Sequence, residues 1–213
     1  MAIKLSFTKT EEDLTGKSKW WGSPDLPDDL DYPINFFKAE NEGEEDWDEP
    51  LTFVCQIRCE DLAAVDPEGK LPHKGMLYFF AALEEYIDDG EPCSVHNGLG
   101  EWDTDAYKVL YTEQTEDLNP YEIRYEDDTP YNKPAEKISF KRTGDNDSFA
   151  MLCPPFYEEV AELYPNWVSL LQIDESEQWG LRLYDCGMIN FMIRRTDLKV
   201  RNWDEVSVYF HSF

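Results

Sequence analysis

The 213-residue chain carries 46 acidic against 19 basic residues, a net charge of −27 at pH 7. That balance argues against nucleic-acid binding, because the main basic concentration (Arg194, Arg195, Lys199 and Arg201) is too small and too diluted by acids to outweigh phosphate repulsion. An aromatic content of 15% gives a single domain of this length a core-sized apolar payload despite a mean hydropathy of −0.62.

The first ten residues lack the long apolar stretch of a signal peptide, and no run approaches the ~18 apolar residues of a membrane span. Five cysteines scattered at 55, 59, 93, 153 and 186 do not make a disulfide framework. The expectation is one cytoplasmic domain, residues 1–213, with no membrane partner.

In chain order, residues 9–14 predict a short helix with Thr10 as N-cap and Glu11, Glu12 and Asp13 in its first turn. Residues 18–27 (S-K-W-W-G-S-P-D-L-P), followed by Pro33, predict an ordered but irregular segment anchored by its tryptophans. An acidic loop over 38–50 leads to a strand at 51–57, a helical turn begun by Glu60, and a turn at Pro67, Glu68 and Gly69. The L-P-H-K-G stretch then feeds a second strand at 74–80, and a Gly- and acid-rich loop precedes a third at 107–112. Residues 121–125 and 137–141 read as a weak hairpin, and 144–148 as a turn. The best helix covers 155–164, with Phe156, Val160 and Leu163 on one face, a proline near the first turn and Pro165 ending it.

Part of this pattern occurs twice. F-V-C-Q-I (53–57) leads to K-G-M-L-Y-F-F (74–80), and S-L-L-Q-I (169–173) leads to C-G-M-I-N-F-M (186–192). Runs of five to seven apolar residues suit strands, and a third run closes each copy, at 107–112 and 206–210. The fold class expected is α+β: mostly antiparallel β, in two pseudo-repeated sheet halves (51–112 and 167–211), with few short helices.

At this point the residues carry a resemblance. The chain resembles the YwqG-like family of bacterial proteins, whose pattern runs S-K-x-G-G-x-P-x-L-P, Q-I, L-P-x-x-G-x-L-x-F-F, L-L-Q-I-D, W-G-D-x-G and F-x-I-x-x-x-D-L. The matching residues are Ser18, Lys19, Gly22, Pro24, Leu26 and Pro27; Gln56 and Ile57; Leu71, Pro72, Gly75, Leu77, Phe79 and Phe80; residues 170–174; Trp179 and Gly180; and Phe191, Ile193, Asp197 and Leu198. Trp21 stands where the family often has a glycine, and residues 181–184 split W-G-D-x-G so that Asp185, Cys186 and Gly187 arrive late. The resemblance implies an α+β fold and a toxin-neutralising or other protein-binding role, and brings no established activity.

The candidate binding residues are Gln56, Gln172, Asp174, Trp179, Asp185 and Trp21. Gln56 and Gln172 each interrupt an apolar strand; buried amides must find partners, either on a ligand at the pseudo-two-fold or on neighbouring backbone that fixes strand register. Trp20, Trp21, Trp102 and Trp179 stand near glycines and acids, where they either meet a ligand or pack into the core. Asp174 ends one strand and Asp185 precedes the next, the placement of a carboxylate pair across a hairpin mouth.

Cys93 and His96 lack an evident orienting group, Cys55 and Cys59 lack further metal ligands, and no P-loop, G-x-G-x-x-G, G-x-S-x-G or H-E-x-x-H pattern exists. The expectation is no enzyme, no cofactor and no metal. The acids, seven of them within residues 40–49, either solvate the surface or steer a basic protein partner. The first reading is a protein-interaction module of immunity type. The second is a small-molecule or carbohydrate-binding domain using Trp179, Asp185 and Gln172. Oligomeric state stays open.

Overall fold

The computed structural model describes residues 2–39, 43, 45–125, 127–146 and 148–213. Of the acidic loop expected at 38–50, residues 40–42 and 44 lie outside the described residues, and its end is not loop, since Trp47–Pro50 form a strand paired with Ile34–Phe37. The strands are β1 (Ala2–Lys9), β2 (Lys19–Trp20), β3 (Asp25–Leu26), β4 (Ile34–Phe37), β5 (Trp47–Pro50), β6 (Thr52–Arg58), β7 (Met76–Ala81) and β8 (Gly100–Glu101). They continue with β9 (Tyr107–Thr112), β10 (Asn119–Pro120), β11 (Glu136–Thr143), β12 (Ala150–Met151), β13 (Trp167–Asp174), β14 (Met188–Arg194) and β15 (Ser207–His211). Two six-residue helices, α1 (Glu158–Leu163) and α2 (Arg195–Val200), and several 3-10 turns complete the described elements.

Eleven strands form one sheet in the order β8-β15-β14-β13-β12-β1-β11-β2-β6-β7-β9, with every pairing antiparallel. The two end strands, β8 and β9, are joined by residues 102–106 alone, so the sheet has to curl until its ends approach. Curling folds one flank over the other. Phe79 on β7 meets Phe191 on β14 edge to face at 5.4 Å, and the Tyr107 hydroxyl donates to the Val206 carbonyl at 3.1 Å. The main core lies between these flanks.

β1 was not expected as a strand. Its A-I-K-L-S-F-T-K alternation buries Ile3 and Leu5 and exposes Lys4 and Ser6, which is strand periodicity. The helix expected at 9–14 does not form, because short polar side chains capture the backbone instead: Glu12 N donates to Thr10 Oγ1 (3.0 Å) and Thr15 N to Asp13 Oδ1 (2.9 Å). The hairpin expected between 121–125 and 137–141 is also absent. β11 pairs with β1 along eight residues and with β2, while Tyr121 N donates to the Pro24 carbonyl. The helix near 155–164 shortens to α1, and its buried face is Tyr157 and Val160 packed on Met188 and Met192; Phe156 (44% exposed) and Leu163 (64%) point outward. The strands at 51–57, 74–80, 107–112, 169–173, 186–192 and 206–210 form within one or two residues of expectation.

The two Gln-bearing strands have matching surroundings. A register shift falls between Phe53 and Cys55 on β6 and between Ser169 and Leu171 on β13, in each case just before the glutamine. Gln56 lies opposite Lys19 and Tyr78, and Gln172 opposite Ala150 and Asn190.

Candidate functional site

Gln56 belongs to a buried polar network that fixes the segment after β1. The side chains of Lys19 and Asp25 pair at 2.8 Å, both almost completely buried. Asp25 Oδ2 accepts from Gly16 N (2.8 Å) and Gln56 Nε2 (2.5 Å), while Gln56 Oε1 accepts from Asp25 N (2.8 Å). Gln56 Nε2 also donates to the Lys17 carbonyl, and the Tyr78 hydroxyl to the Asp25 carbonyl. Burial pulls the Lys19 ammonium below the usual lysine range, and Asp25 opposes that pull. Beside it, Ser18 Oγ donates to Asp61 Oδ2 (2.7 Å) and accepts from Arg58 N (2.9 Å). The S-K pair thus has a structural role here.

Gln172 does the same work on the other flank. Its Nε2 donates to the Asn146 and Ser148 carbonyls (2.6 and 2.7 Å), holding Asn146 and Ser148 against β13. The two amides make their hydrogen bonds in separate networks. Gln172→Leu leaves those two carbonyls short of a donor. It is expected to cost about 1–3 kcal/mol, seen as a lowered melting temperature; an unchanged one would remove the register role.

Trp20, Trp21, Trp102 and Trp179 pack inward. Trp20, Trp21, Trp179, Phe7 and Phe149 form one cluster with ring centroids 4.8 to 5.8 Å apart, and Trp20 stacks on Trp179 at 22°. Trp179 Nε1 donates to the buried Glu136 carboxylate at 3.2 Å. Trp102 is buried too, its Nε1 donating to the Gly98 carbonyl. Trp21 adopts φ 58°, a left-handed conformation that glycine reaches without steric cost.

Asp174 pairs in register with Met188 at the mouth of the β13–β14 connection. Asp185 sits in an exposed turn within that connection, its N donating to Ser212 Oγ.

The site with the geometry of a ligand pocket lies elsewhere. A cleft of about 700 Å³ opens between residues 21–23, the start of β6, residues 84–90 and the loop ending at Pro134. Trp21 borders it but shows no surface to water, so it supports the cleft without offering a face. Trp179 packs against Trp21, and the following Gly180 accepts from Asp88 N through its carbonyl (3.0 Å), setting Asp88 at the rim.

Glu84 opens the 3-10 turn Glu84–Tyr86 and projects its carboxylate toward two tyrosines. The Tyr125 hydroxyl donates to Oε1 at 2.9 Å. The Tyr131 hydroxyl lies 3.1 Å from Oε2 but 2.9 Å from the Pro50 carbonyl, and with one proton it satisfies only one of them fully. Oε2 therefore keeps acceptor capacity. The two rings stand 5.3 Å apart, tilted by 53°, and Tyr125 is 46% exposed. Burial, then the Glu84 carboxylate, pushes the Tyr125 hydroxyl up to about 12, so it remains a donor at neutral pH.

The cations at the rim are already engaged: Lys133 with Asp88 at 2.6 Å, and Arg124 with Glu122 at 3.0 Å and Asp128 at 3.8 Å. Among the described residues no lysine or arginine pairs with Glu84.

The family described as "Domain of unknown function (DUF1963)" matches residues 18–162 and 142–211. The chain belongs to this family. The match begins at Ser18, the first residue of the segment that Asp25 and Gln56 lock in place, and takes in both flanks of the sheet and the whole cleft. No curated protein matches the chain. Among the described residues, no group of three or more His, Cys, Asp or Glu is arranged to hold a metal ion, and no helix is long and apolar enough to cross a membrane.

Glu84, Tyr125 and Tyr131 were not singled out in the sequence. Glu84 is one acid among many, and the two tyrosines lie in a loop whose spacing suggested a hairpin.

Proposed function

We propose that the protein is a non-enzymatic interaction module that holds a cationic group of a basic partner in the Glu84 cleft. The observation that carries this reading is a carboxylate oriented by tyrosine hydroxyls, with acceptor capacity left and, among the described residues, no lysine or arginine paired to it, in a protein of net charge −27. The long-range field draws a basic partner in, and the cleft gives the encounter a fixed end point. Thiol chemistry is disfavoured because burial pushes the thiols of Cys93 up to about 11 and of Cys59 and Cys153 up to about 12, away from the thiolate.

The test is parallel capture from native extract by the wild-type chain and by Glu84→Gln. A basic protein held by the wild type at about 0.05 M salt, lost at about 0.5 M and not held by the variant is the expected result. Capture unaffected by both salt and the variant would overturn the reading. A second reading, a small-molecule site, is favoured by the cleft volume, which falls within the ~300–1,000 Å³ of such pockets.

The two flanks are also read as copies of one unit whose first strands have crossed over. Two features support this. Going outward from the central β1–β11 pair the order runs β12-β13-β14-β15 on one side, with the two-residue β8 added at its edge, and β2-β6-β7-β9 on the other, and the register shifts precede the glutamines by the same interval.

A further inference from the structure

Resting on the cleft as the ligand site, we propose that the group it selects is a guanidinium, presented by an arginine side chain of the partner. A guanidinium is planar and carries its N–H donors in a rigid fork, so one edge meets a carboxylate while a face lies on an aromatic ring. Glu84 and the two tyrosines supply both surfaces in one place: the carboxylate at the hydroxyl ends of the rings, and the rings tilted to each other at 5.3 Å.

Occupancy also resolves the shared proton. When an incoming N–H takes Glu84 Oε2, the Tyr131 hydroxyl turns fully to the Pro50 carbonyl 2.9 Å away, and no donor or acceptor is lost. Ile87 and Ile123 line the same cleft and give the aliphatic stem of an arginine apolar surface to cover. An ammonium is a compact, strongly hydrated point charge and uses neither the fork nor the ring face as fully.

The test titrates the wild-type chain with three probes, the N-acetyl methylamides of arginine, lysine and citrulline, following the ring resonances of Tyr125 and Tyr131. Arginine is expected to bind about tenfold more tightly than the uncharged citrulline and several-fold more tightly than lysine. Glu84→Gln is expected to bring arginine down to the citrulline level.

Lysine equal to arginine would overturn the guanidinium assignment and leave the cation cleft standing. Citrulline equal to arginine would overturn the role of charge. Failure of all three probes to move either ring would overturn the cleft itself as the ligand site.

Discussion

Replacing Lys19 by methionine is expected to lower the free energy of unfolding by about 3–5 kcal/mol, the cost of stranding one partner of a buried ion pair. The side chains of Lys19 and Asp25 are nearly or completely buried. Without the ammonium, Oδ1 of Asp25 loses its 2.8 Å partner while Oδ2 keeps only the neutral donors Gly16 N and Gln56 Nε2. The charge then has nowhere to go, because the same residue is tied by its backbone to Gln56 and Tyr78.

The companion variant Lys19→Met with Asp25→Asn removes both charges and is expected to recover part of the loss. Urea unfolding measures both. A loss below about 1 kcal/mol for Lys19→Met would mean that the pair behaves as if it were at the surface.

Gly75→Ala is expected to be nearly as damaging, at about 2–4 kcal/mol, combining backbone strain with steric overlap. Gly75 has φ +91°, and a Cβ built on it falls well inside the van der Waals contact distance from the Thr112 carbonyl oxygen. Neither side is free to retreat. Met76, the next residue, pairs with Thr112 across β7 and β9, and the Gly75 carbonyl accepts from Cys59 N at 2.9 Å.

Gly69 provides the internal control: its φ of +63° also favours glycine, but nothing stands within 4 Å of a Cβ there. Gly69→Ala is expected to cost only the conformational part, about 1 kcal/mol. If the two variants unfold at the same urea concentration, the close approach to Thr112 does not limit the fold.

Much of the sheet was legible because burial on both faces leaves a plain mark. β6, β7, β13 and β14 are apolar runs of six to eight residues bounded by glycines or charges, and they were placed closely. β1 also carries a strand signal, in the alternation of Ile3, Lys4, Leu5 and Ser6.

At 9–14 a pattern that suited a helix was overridden by side-chain hydrogen bonds to the backbone, whereas at 155–164 the expected helix forms over Glu158–Leu163, with its buried face set by the packing of Tyr157 and Val160. The glutamines were legible as buried amides needing partners, and each found backbone carbonyls on its own flank.

The cleft was not legible. Its parts come from residues 21–23, 52, 84–90, 122–125 and 130–134, brought together where the N-terminal segment bonds to the loop before β11, Gly22 N to the Lys133 carbonyl and Tyr121 N to the Pro24 carbonyl. No spacing within any one stretch encodes that meeting. Of the tryptophans, Trp21 borders the cleft and Trp179 packs against Trp21, while Tyr125 and Tyr131 line it.

The most direct measurement is a hydrogen-exchange footprint of the protein with a short arginine-rich peptide at low salt. Protection concentrated at residues 84–90 and 121–134, and absent in Glu84→Gln, is the result expected if the cleft receives the cation. Protection spread over the acidic surface, unchanged by that substitution, would contradict the claim and leave the charge as a diffuse attractor without a site.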